Sequence, residues 1–384
     1  MKAMIKLKTA VFSLGLLLAI GSFGRTGGEK DDANASRTLS ESFSVIQGSN
    51  LEVINKYGQV VINTWDNDSI RLEIEITAFG KSMIDARKTL DRVDVDFRQS
   101  GNYLTVESTF DKNTNYIKEF WKVIEDESRA LFSKSKIEIN YKIFVPKRVN
   151  ITLDNRFGDV YLQDFDGTAR ITVNHGNLRA NNFTSNAIIE VGFGDMEAKS
   201  IKTGKLTVKA GKANIDKIGV ATINSSSSEI TIGEASRVRI DSRNDKLIRF
   251  ESVENLSGKG LFSNFHIYSL KRSLEATMNY GDIRVDNIAF SFSNIDLDIT
   301  STDLDLNISA KAFMTVNIEA KEESLFLPTG FLELEKEMLD LKKKEVKLYG
   351  KVGAANNYPA NLSIKAKGGD VKVSLMNEQQ SANK

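Results

Sequence analysis

The hexapeptide Phe157-Gly158-Asp159-Val160-Tyr161-Leu162 decides how the chain folds, because its pattern returns many times. A turn-forming residue is followed by a polar residue and then by apolar, variable and apolar residues. The stretch 151–327 is therefore an internal repeat. Full copies are His175-Gly176-Asn177-Leu178-Arg179-Ala180, Phe193-Gly194-Asp195-Met196-Glu197-Ala198 and Tyr280-Gly281-Asp282-Ile283-Arg284-Val285. Weaker copies, most of which lack the glycine, place the turn at Gly211, Ser228, Lys246, Ser263, Thr302 and Glu323.

The repeat has a short and nearly constant period. Its turn positions are 18, 18, 17, 17, 18, 17, 18, 21 and 21 residues apart, and all twenty residues two and four places after a turn are apolar. This alternation is typical of a strand with one buried face, and glycine permits the positive φ or close chain approach of a sharp corner. A repeat this short must stack on the next copy to bury its apolar face. We therefore predict an all-β fold, a single-stranded β-solenoid of about ten coils of 17–21 residues.

Residues 1–24 have the pattern of a secretory signal peptide. Three lysines precede an apolar run from Thr9 to Ile20, and small residues follow it. The run is short for a membrane span, although a retained anchor is the alternative. The absence of cysteine excludes disulfides, thiolate metal sites and a lipoprotein anchor. We expect export to the periplasm or the cell surface, and no integral membrane protein once the signal is removed.

The regions that flank the repeat are less regular. Apolar residues at helical spacing predict helices near 81–90 and 115–132; the second could bind a partner or a membrane, but packing over the solenoid is favoured. A charged stretch after Pro328 fits helix and strand equally. The expected organisation is a signal peptide at 1–24, a flexible leader at 25–39, an N-terminal β-rich cap at 40–146, solenoid repeats at 147–327, an insertion at 328–358, a final coil at 359–376 and a tail at 377–384.

The sequence predicts no catalytic, cofactor-binding or metal-binding residues. Its two histidines, His175 and His266, lie five coils apart and cannot share a metal or a proton, so we expect both on the surface. No nucleophile elbow, phosphate loop or zinc-ligand spacing is found. The residue after the turn changes in chemistry from coil to coil, so no aromatic platform is expected in that column.

The carboxylates leave two interpretations open. In the solenoid register Asp282 lies next to Asp303, with Asp305, Asp296 and Asp298 nearby. Such an acidic patch could bind calcium, or it could be a solvated face relieved by Arg284. The aspartates that follow turn glycines are interpreted as structural, bonded to their own backbone; they are Asp159, Asp195 and Asp282.

Five short stretches give the chain a resemblance to a known family. They are Asn55-Lys56-Tyr57-Gly58, Ile139–Pro146, Asn155-Arg156-Phe157-Gly158-Asp159-Val160, Tyr349-Gly350-Lys351-Val352-Gly353 and Gly369-Asp370-Val371. With the signal peptide, they resemble the bacterial putative-adhesin β-solenoid family of Bacteroidetes-type exported proteins. That family includes domains of unknown function and domains like the heads of auto-transporter adhesins. The resemblance implies a solenoid, and it supplies no catalytic residues.

Our leading hypothesis is an exported, non-enzymatic, adhesin-like solenoid that binds an envelope protein, a glycan or an external surface. A carbohydrate-active β-helix, a lyase or hydrolase using Asp282 and Asp303, is one alternative. A structural sensor linked to envelope-stress or anti-sigma signalling is the other. The formal net charge of +1 gives no reason to expect nucleic acid as a partner.

Overall fold

The computed structural model describes residues 33–110, 137–331, 333–353 and 358–376. The chain divides into the units Met1–Asp32 and Ala33–Lys384, and all of the described residues belong to the second. In the described ranges it has one α-helix, α1 (Met83–Leu90), and 23 strands that belong to one sheet. The strands are β1 (Ala33–Ser44), β2 (Asn50–Lys56), β3 (Val60–Trp65), β4 (Ser69–Gly80), β5 (Val93–Ser100), β6 (Tyr103–Phe110), β7 (Ile137–Pro146), β8 (Asn150–Arg156), β9 (Val160–Leu162), β10 (Ala169–Asn174), β11 (Leu178–Gly192), β12 (Met196–Lys209), β13 (Lys212–Ser226), β14 (Glu229–Arg243), β15 (Leu247–Ile267), β16 (Leu270–Ile288), β17 (Asn294–Ser309), β18 (Met314–Lys321), β19 (Leu325–Phe326), β20 (Glu335–Asp340), β21 (Glu345–Val352), β22 (Ala360–Lys367) and β23 (Val371–Met376).

The repeats stack as parallel strands, which confirms an all-β, solenoid-like fold. Residues pair with partners 17 or 18 places further along the chain, as in Ile171 with Ile189 and Leu206 with Ile223. The eighteen inward residues that follow the first nine turn positions are at most 8% exposed. Leu325 and Leu327, after the tenth, are only partly buried against the core. The apolar alternation therefore predicted the buried face correctly.

Two neighbouring residues make each corner of the glycine-containing coils. The residue before the turn has a left-handed backbone, with φ of 55° at His175 and 56° at Phe193. Glycine is needed next because the coils approach closely: a Cβ on Gly176 would lie 2.0 Å from the carbonyl oxygen of Gly158. In this part of the solenoid, the positive φ that the sequence suggested for glycine therefore belongs mainly to its predecessor.

Where glycine is replaced, buried polar side chains fill the corner. Ser228, Ser263 and Thr302 are at most 4% exposed. In the copy assigned to Lys246 the corner residue is Asp245, since the left-handed residue is Asn244. Asp245 is 1% exposed, because its carboxylate is satisfied by hydrogen bonds inside the solenoid. The sequence register was therefore one residue late at this corner, although the following strand is in register.

The solenoid begins earlier than residue 147. Strands β2 and β3 form a coil that pairs in parallel with β8 and β9, which lie much further along the chain, as in Asn50 with Asn150. The intervening chain covers the other edge of this first coil. There β6 pairs with β2, β7 pairs with β3, and β4 and β1 continue from β7 as antiparallel strands.

Two further N-terminal expectations have different outcomes. Residues 33–39, expected within a flexible leader, form the first part of β1, because Ala35, Leu39 and Phe43 alternate with polar residues and pack against the core. The helix expected near 81–90 is α1, whose start is capped by Ser82 accepting a bond from the Asp85 backbone N–H. The helix expected near 115–132, the signal peptide and the tail lie outside the described residues.

The C-terminal coils do not stack in chain order. The coil formed by β22 and β23 lies directly on β17, and β18 and β19 lie on the far side of it. The charged stretch after Pro328 contains two strands, β20 and β21, which form an antiparallel hairpin beside β18. The copy at Glu323 therefore stacks on the last coil of the chain and not on the copy at Thr302.

Candidate functional site: a ring stack beside a polar groove

Four rings stack along one corner of the solenoid. The centroids of Tyr57 and Phe157 are 5.4 Å apart, those of Phe157 and His175 5.1 Å, and those of His175 and Phe193 4.8 Å, with interplanar angles of 7–10°. We call these four residues the ring stack. They occupy the left-handed position before each turn glycine, which is strained for a large side chain. Ring contact from coil to coil offsets part of that strain.

The ring stack runs from the interior to the solvent. Tyr57 is 4% exposed and also meets the Phe110 ring edge-on at 6.1 Å, whereas Phe193 is 56% exposed. A second, shorter stack of Phe262 and Tyr280, 4.8 Å apart, follows at the same corner. Small or polar residues separate the two stacks. The coil that follows Phe193 therefore has no aromatic side chain at this corner. These intervening residues are Ala210, Ser227 and Asn244.

A shallow groove of about 810 Å³ lies on the outward face of the strands that follow the ring stack. The strands β3, β9, β11 and β12 each continue a coil that holds one of the rings, whereas β13, with Asn214 and Asp216, continues the coil of Ala210. The groove combines amide and charged side chains with one tyrosine and five aliphatic residues. Its lining residues are Gln59, Val61, Ile62, Asn63, Tyr161, Leu162, Gln163, Arg179, Ala180, Asn181, Glu197, Ala198, Lys199, Asn214 and Asp216.

The charged side chains of the groove balance, with Arg179 and Lys199 against Glu197 and Asp216. Arg179 Nε lies 3.3 Å from Glu197 Oε2, and both side chains are more than half exposed. The Tyr161 hydroxyl donates to Asp159 Oδ2 at 3.3 Å. Amide side chains offer a donor and an acceptor together, which suits partners that carry hydroxyl groups. The groove therefore favours a hydroxyl-rich, weakly charged ligand.

A column of Asp and Asn side chains separates the ring stack from the groove. Asp159 Oδ1 accepts from the backbone N–H of Asn177 at 2.8 Å, and Asn177 Oδ1 accepts from that of Asp195 at 2.9 Å. Asp195 Oδ1 accepts from the N–H of Lys212 at 2.9 Å. The carboxylates of Asp159 and Asp195 are thus structural. Each binds a backbone N–H of the next coil, whereas the sequence analysis expected each to bind its own backbone.

The two histidines have different surroundings. His175 is exposed within the ring stack. His266 is partly buried, with Nε2 2.8 Å from Asp286 Oδ2 and its ring centroid 4.2 Å from that of Tyr268. Burial alone would raise the pKa of Asp286, but hydrogen bonds from Arg284 and His266 hold that pKa below its usual value. His266 therefore belongs to a side-chain network on the surface.

The acidic patch is relieved by the C-terminal coil. Asp282 and Asp303 are neighbours, as the register predicted, but Arg284 binds Asp286 with Nε 2.7 Å from Oδ1. Asp303 Oδ1 accepts from the backbone N–H of Asp370 at 2.9 Å, and Lys372 Nζ lies 3.3 Å from Asp305 Oδ2. Among the described residues, no three histidine or acidic side chains are grouped so as to hold a metal ion.

The ring stack was not predicted from the sequence, because the prediction considered the residue after each turn and not the residue before it. The signal was present one place before the glycine, where Tyr57, Phe157, His175 and Phe193 stand in successive strong copies. The same position of each of these coils therefore carries an aromatic ring. The groove could not be found in this way, because its chemistry differs from strand to strand.

Stability should fall between pH 10 and about pH 12 because of Tyr57. Burial raises the pKa of the Tyr57 hydroxyl to about 12, against about 10 in an unfolded chain. In that window the unfolded chain loses the proton that the folded chain keeps, so rising pH favours unfolding by about 2–3 kcal/mol in total. Urea unfolding at several pH values should show a smaller alkaline loss in Tyr57→Phe. A Tyr103→Phe variant, at a surface tyrosine, should keep the loss; an equal loss in all three proteins would contradict the assignment.

Solved structures of bacterial proteins are similar to this chain at low sequence identity. Among the described residues no helix is both long and apolar enough to cross a membrane. Similar solved structures include a putative adhesin from Parabacteroides distasonis ATCC 8503, with 13% identity, a TM-score of 0.32, and 70% of this chain and 96% of that chain covered. A putative adhesin from Bacteroides fragilis NCTC 9343 has 13% identity and a TM-score of 0.30, with coverage of 70% and 96%. A putative lipid binding protein from P. distasonis ATCC 8503 has 10% identity and a TM-score of 0.29, with coverage of 70% and 93%.

The family of the chain follows from its sequence match. No curated protein matches it. The family model described as Toastrack DUF4097 matches residues 49–383, from the first coil to the tail. This match confirms the resemblance drawn from the turn motifs, and the chain belongs to the Toastrack DUF4097 family.

Proposed function

We propose that this protein is an exported, non-enzymatic, adhesin-like solenoid that binds a glycan of the cell envelope or of an external surface. The contact surface is the groove together with the exposed end of the ring stack at Phe193. The observation that carries the proposal is the position of the two features on the same coils. A signal-peptide pattern at residues 1–24 supports export.

The chemistry of the surface favours a glycan over a charged or apolar partner. Sugar rings present hydroxyl groups at their edges and C–H groups on their faces. Asn63, Asn181 and Asn214 can bond hydroxyls as donors and acceptors, and the exposed part of the Phe193 ring can pack against the C–H groups. The groove crosses several coils at a spacing of about 4.8 Å. An extended chain of sugars would therefore meet several of these side chains at once.

The test is binding of the chain without residues 1–24 to polysaccharide purified from the envelope of its own cells. Wild type should be retained on the immobilised polysaccharide. The Asn181→Ala and Phe193→Ala variants should bind at least about fivefold more weakly, since each loses direct contacts worth about 1 kcal/mol.

The matched control is Phe290→Ala, which removes a phenylalanine that is 57% exposed and lies outside both ring stacks. It should bind like wild type. Equal retention of all four proteins would refute the assigned surface. No retention of wild type on the polysaccharide would refute glycan binding and would favour the signalling alternative.

We assign no catalytic role to the acidic patch. The carboxylate of Asp303 is engaged with the backbone of Asp370, and that of Asp305 with Lys372. A glycosidase needs a proton donor and a second carboxylate that both remain available to the substrate. The carbohydrate-active alternative therefore has less support than glycan binding.

A further inference from the structure

The last coil of the chain, β22 and β23, fills a gap between two coils that precede it. Its residues are bonded on both edges: Asn361 pairs with Asn294 of β17 on one side and with Thr315 of β18 on the other. Its side chain bridges the same neighbours, because Nδ2 donates to Asn294 Oδ1 at 3.0 Å and Oδ1 accepts from Thr315 Oγ1 at 3.2 Å. The coil is thus held as an inserted element between β17 and the segment 314–352.

The two walls of the gap, β17 on one side and β18 with β19 on the other, are in register with each other. Asn294 and Thr315 share the partner Asn361, and Leu304 and Leu325 share the partner Val371. In both pairs the two residues are 21 places apart in the sequence. This separation also equals that between paired residues of β16 and β17 at this level, as in Ser273 with Asn294. If the last coil left, β18 and β19 could therefore pair directly with β17 without a change of register.

Charge favours the last coil as the occupant of the gap. It places Lys365 opposite Asp298 and Lys372 opposite Asp305 of β17, while the backbone N–H of Asp370 binds Asp303. Direct pairing of the walls would place Glu319 opposite Asp298, and like charges directly opposite are unfavourable. The gap is therefore matched to one occupant, a basic strand pair with this spacing.

The occupant comes late in the sequence, after β21 and after both walls of the gap. Its pairing with β17 joins positions that are far apart in the sequence, as in Asn294 with Asn361, whereas the two walls are close neighbours along the chain. Contacts between distant residues close more slowly than local ones, so the walls can meet before the last coil arrives. A coil that inserts late, after its two neighbours have folded, can insert equally well into the gap of a neighbouring copy.

We propose that the gap between β17 and β18–β19 is a strand-acceptor site, and that a second copy of this chain can supply the occupant, residues 360–376. Two copies that exchange their last coils form an intertwined dimer with every native pairing preserved. The inference does not depend on the glycan proposal, since it concerns the opposite end of the solenoid.

Single cysteines in the full chain can test the exchange, because the natural sequence has none. Asn307 and Ser374 are neutral neighbours on β17 and β23, at a spacing that a disulfide can bridge. Asn307→Cys and Ser374→Cys proteins, one carrying a size tag, are mixed at high concentration, incubated below the unfolding temperature and oxidised. The control mixture contains Asn214→Cys and Thr231→Cys, which are neighbours on β13 and β14 inside the solenoid.

The expected result is a disulfide-linked heterodimer at least about fivefold more abundant in the first mixture than in the control, because only the last coil exchanges. The double variant N307C/S374C, which should close its disulfide within one chain, verifies that both substitutions permit the native pairing. A heterodimer yield equal to the control, with that internal disulfide formed, overturns the proposal. A double variant that fails to close also overturns it, since the native pairing would then be absent.

Discussion

Replacing Gly176 with alanine is expected to lower the free energy of unfolding by about 3 kcal/mol or more. The new Cβ would lie 2.0 Å from the carbonyl oxygen of Gly158 and 2.6 Å from its carbonyl carbon. Both are backbone atoms of the stacked coil below, so no side chain can move aside to relieve the contact. The coils must separate, which weakens the strand pairing on both sides of the corner. Urea unfolding followed by circular dichroism measures the loss.

The matched control for this variant is Gly101→Ala. Gly101 has a φ of 58° in the turn between β5 and β6, and a Cβ there would meet nothing within 4 Å. Alanine at this position should lower the free energy of unfolding by about 1 kcal/mol, because it adds backbone strain and no steric contact. If the two variants lose equal stability, the close approach of the coils does not explain the glycine at position 176.

The Asp245→Ala substitution is also expected to have a large effect: it should lower the free energy of unfolding by about 3–5 kcal/mol. The Asp245 carboxylate accepts from the Ser225 and Ser242 hydroxyls at 2.5 and 2.6 Å, and from the Ser228 backbone N–H at 2.8 Å. Alanine would leave these donors buried without their acceptor and would leave a void at the corner. Thermal and urea unfolding should both show the loss.

Two further variants define the origin of that loss. Asp245→Asn keeps the shape and one acceptor oxygen, so it should cost less than alanine. Asp216→Ala removes an exposed carboxylate and should change stability by no more than about 0.5 kcal/mol. A small effect of Asp245→Ala, similar to that of Asp216→Ala, would show that the buried network is dispensable.

The buried network and the ring stack show why some of the site escaped sequence analysis. Asp245 stands in a charged stretch, Arg243 to Lys246, with the composition of an exposed loop, and only the fold places its carboxylate among Ser225, Ser228 and Ser242. The aromatic column was visible in the sequence, one place before each strong glycine. The groove was not, because it consists of unlike residues brought together by the stacking of coils.

The sequence by itself determined the repeat, the inward residues and most of the corner positions, because alternation and period are local properties of a strand and its turn. Only the tertiary structure decided which coil lies on which. At the C-terminal end β17 can accept either β18, the next strand along the chain, or β22, which follows much later, with equally apolar inward faces. The apolar pattern cannot distinguish these partners. The basic residues of the last coil, opposite the aspartates of β17, make the difference, since two charged faces interact only after the chain has brought them together.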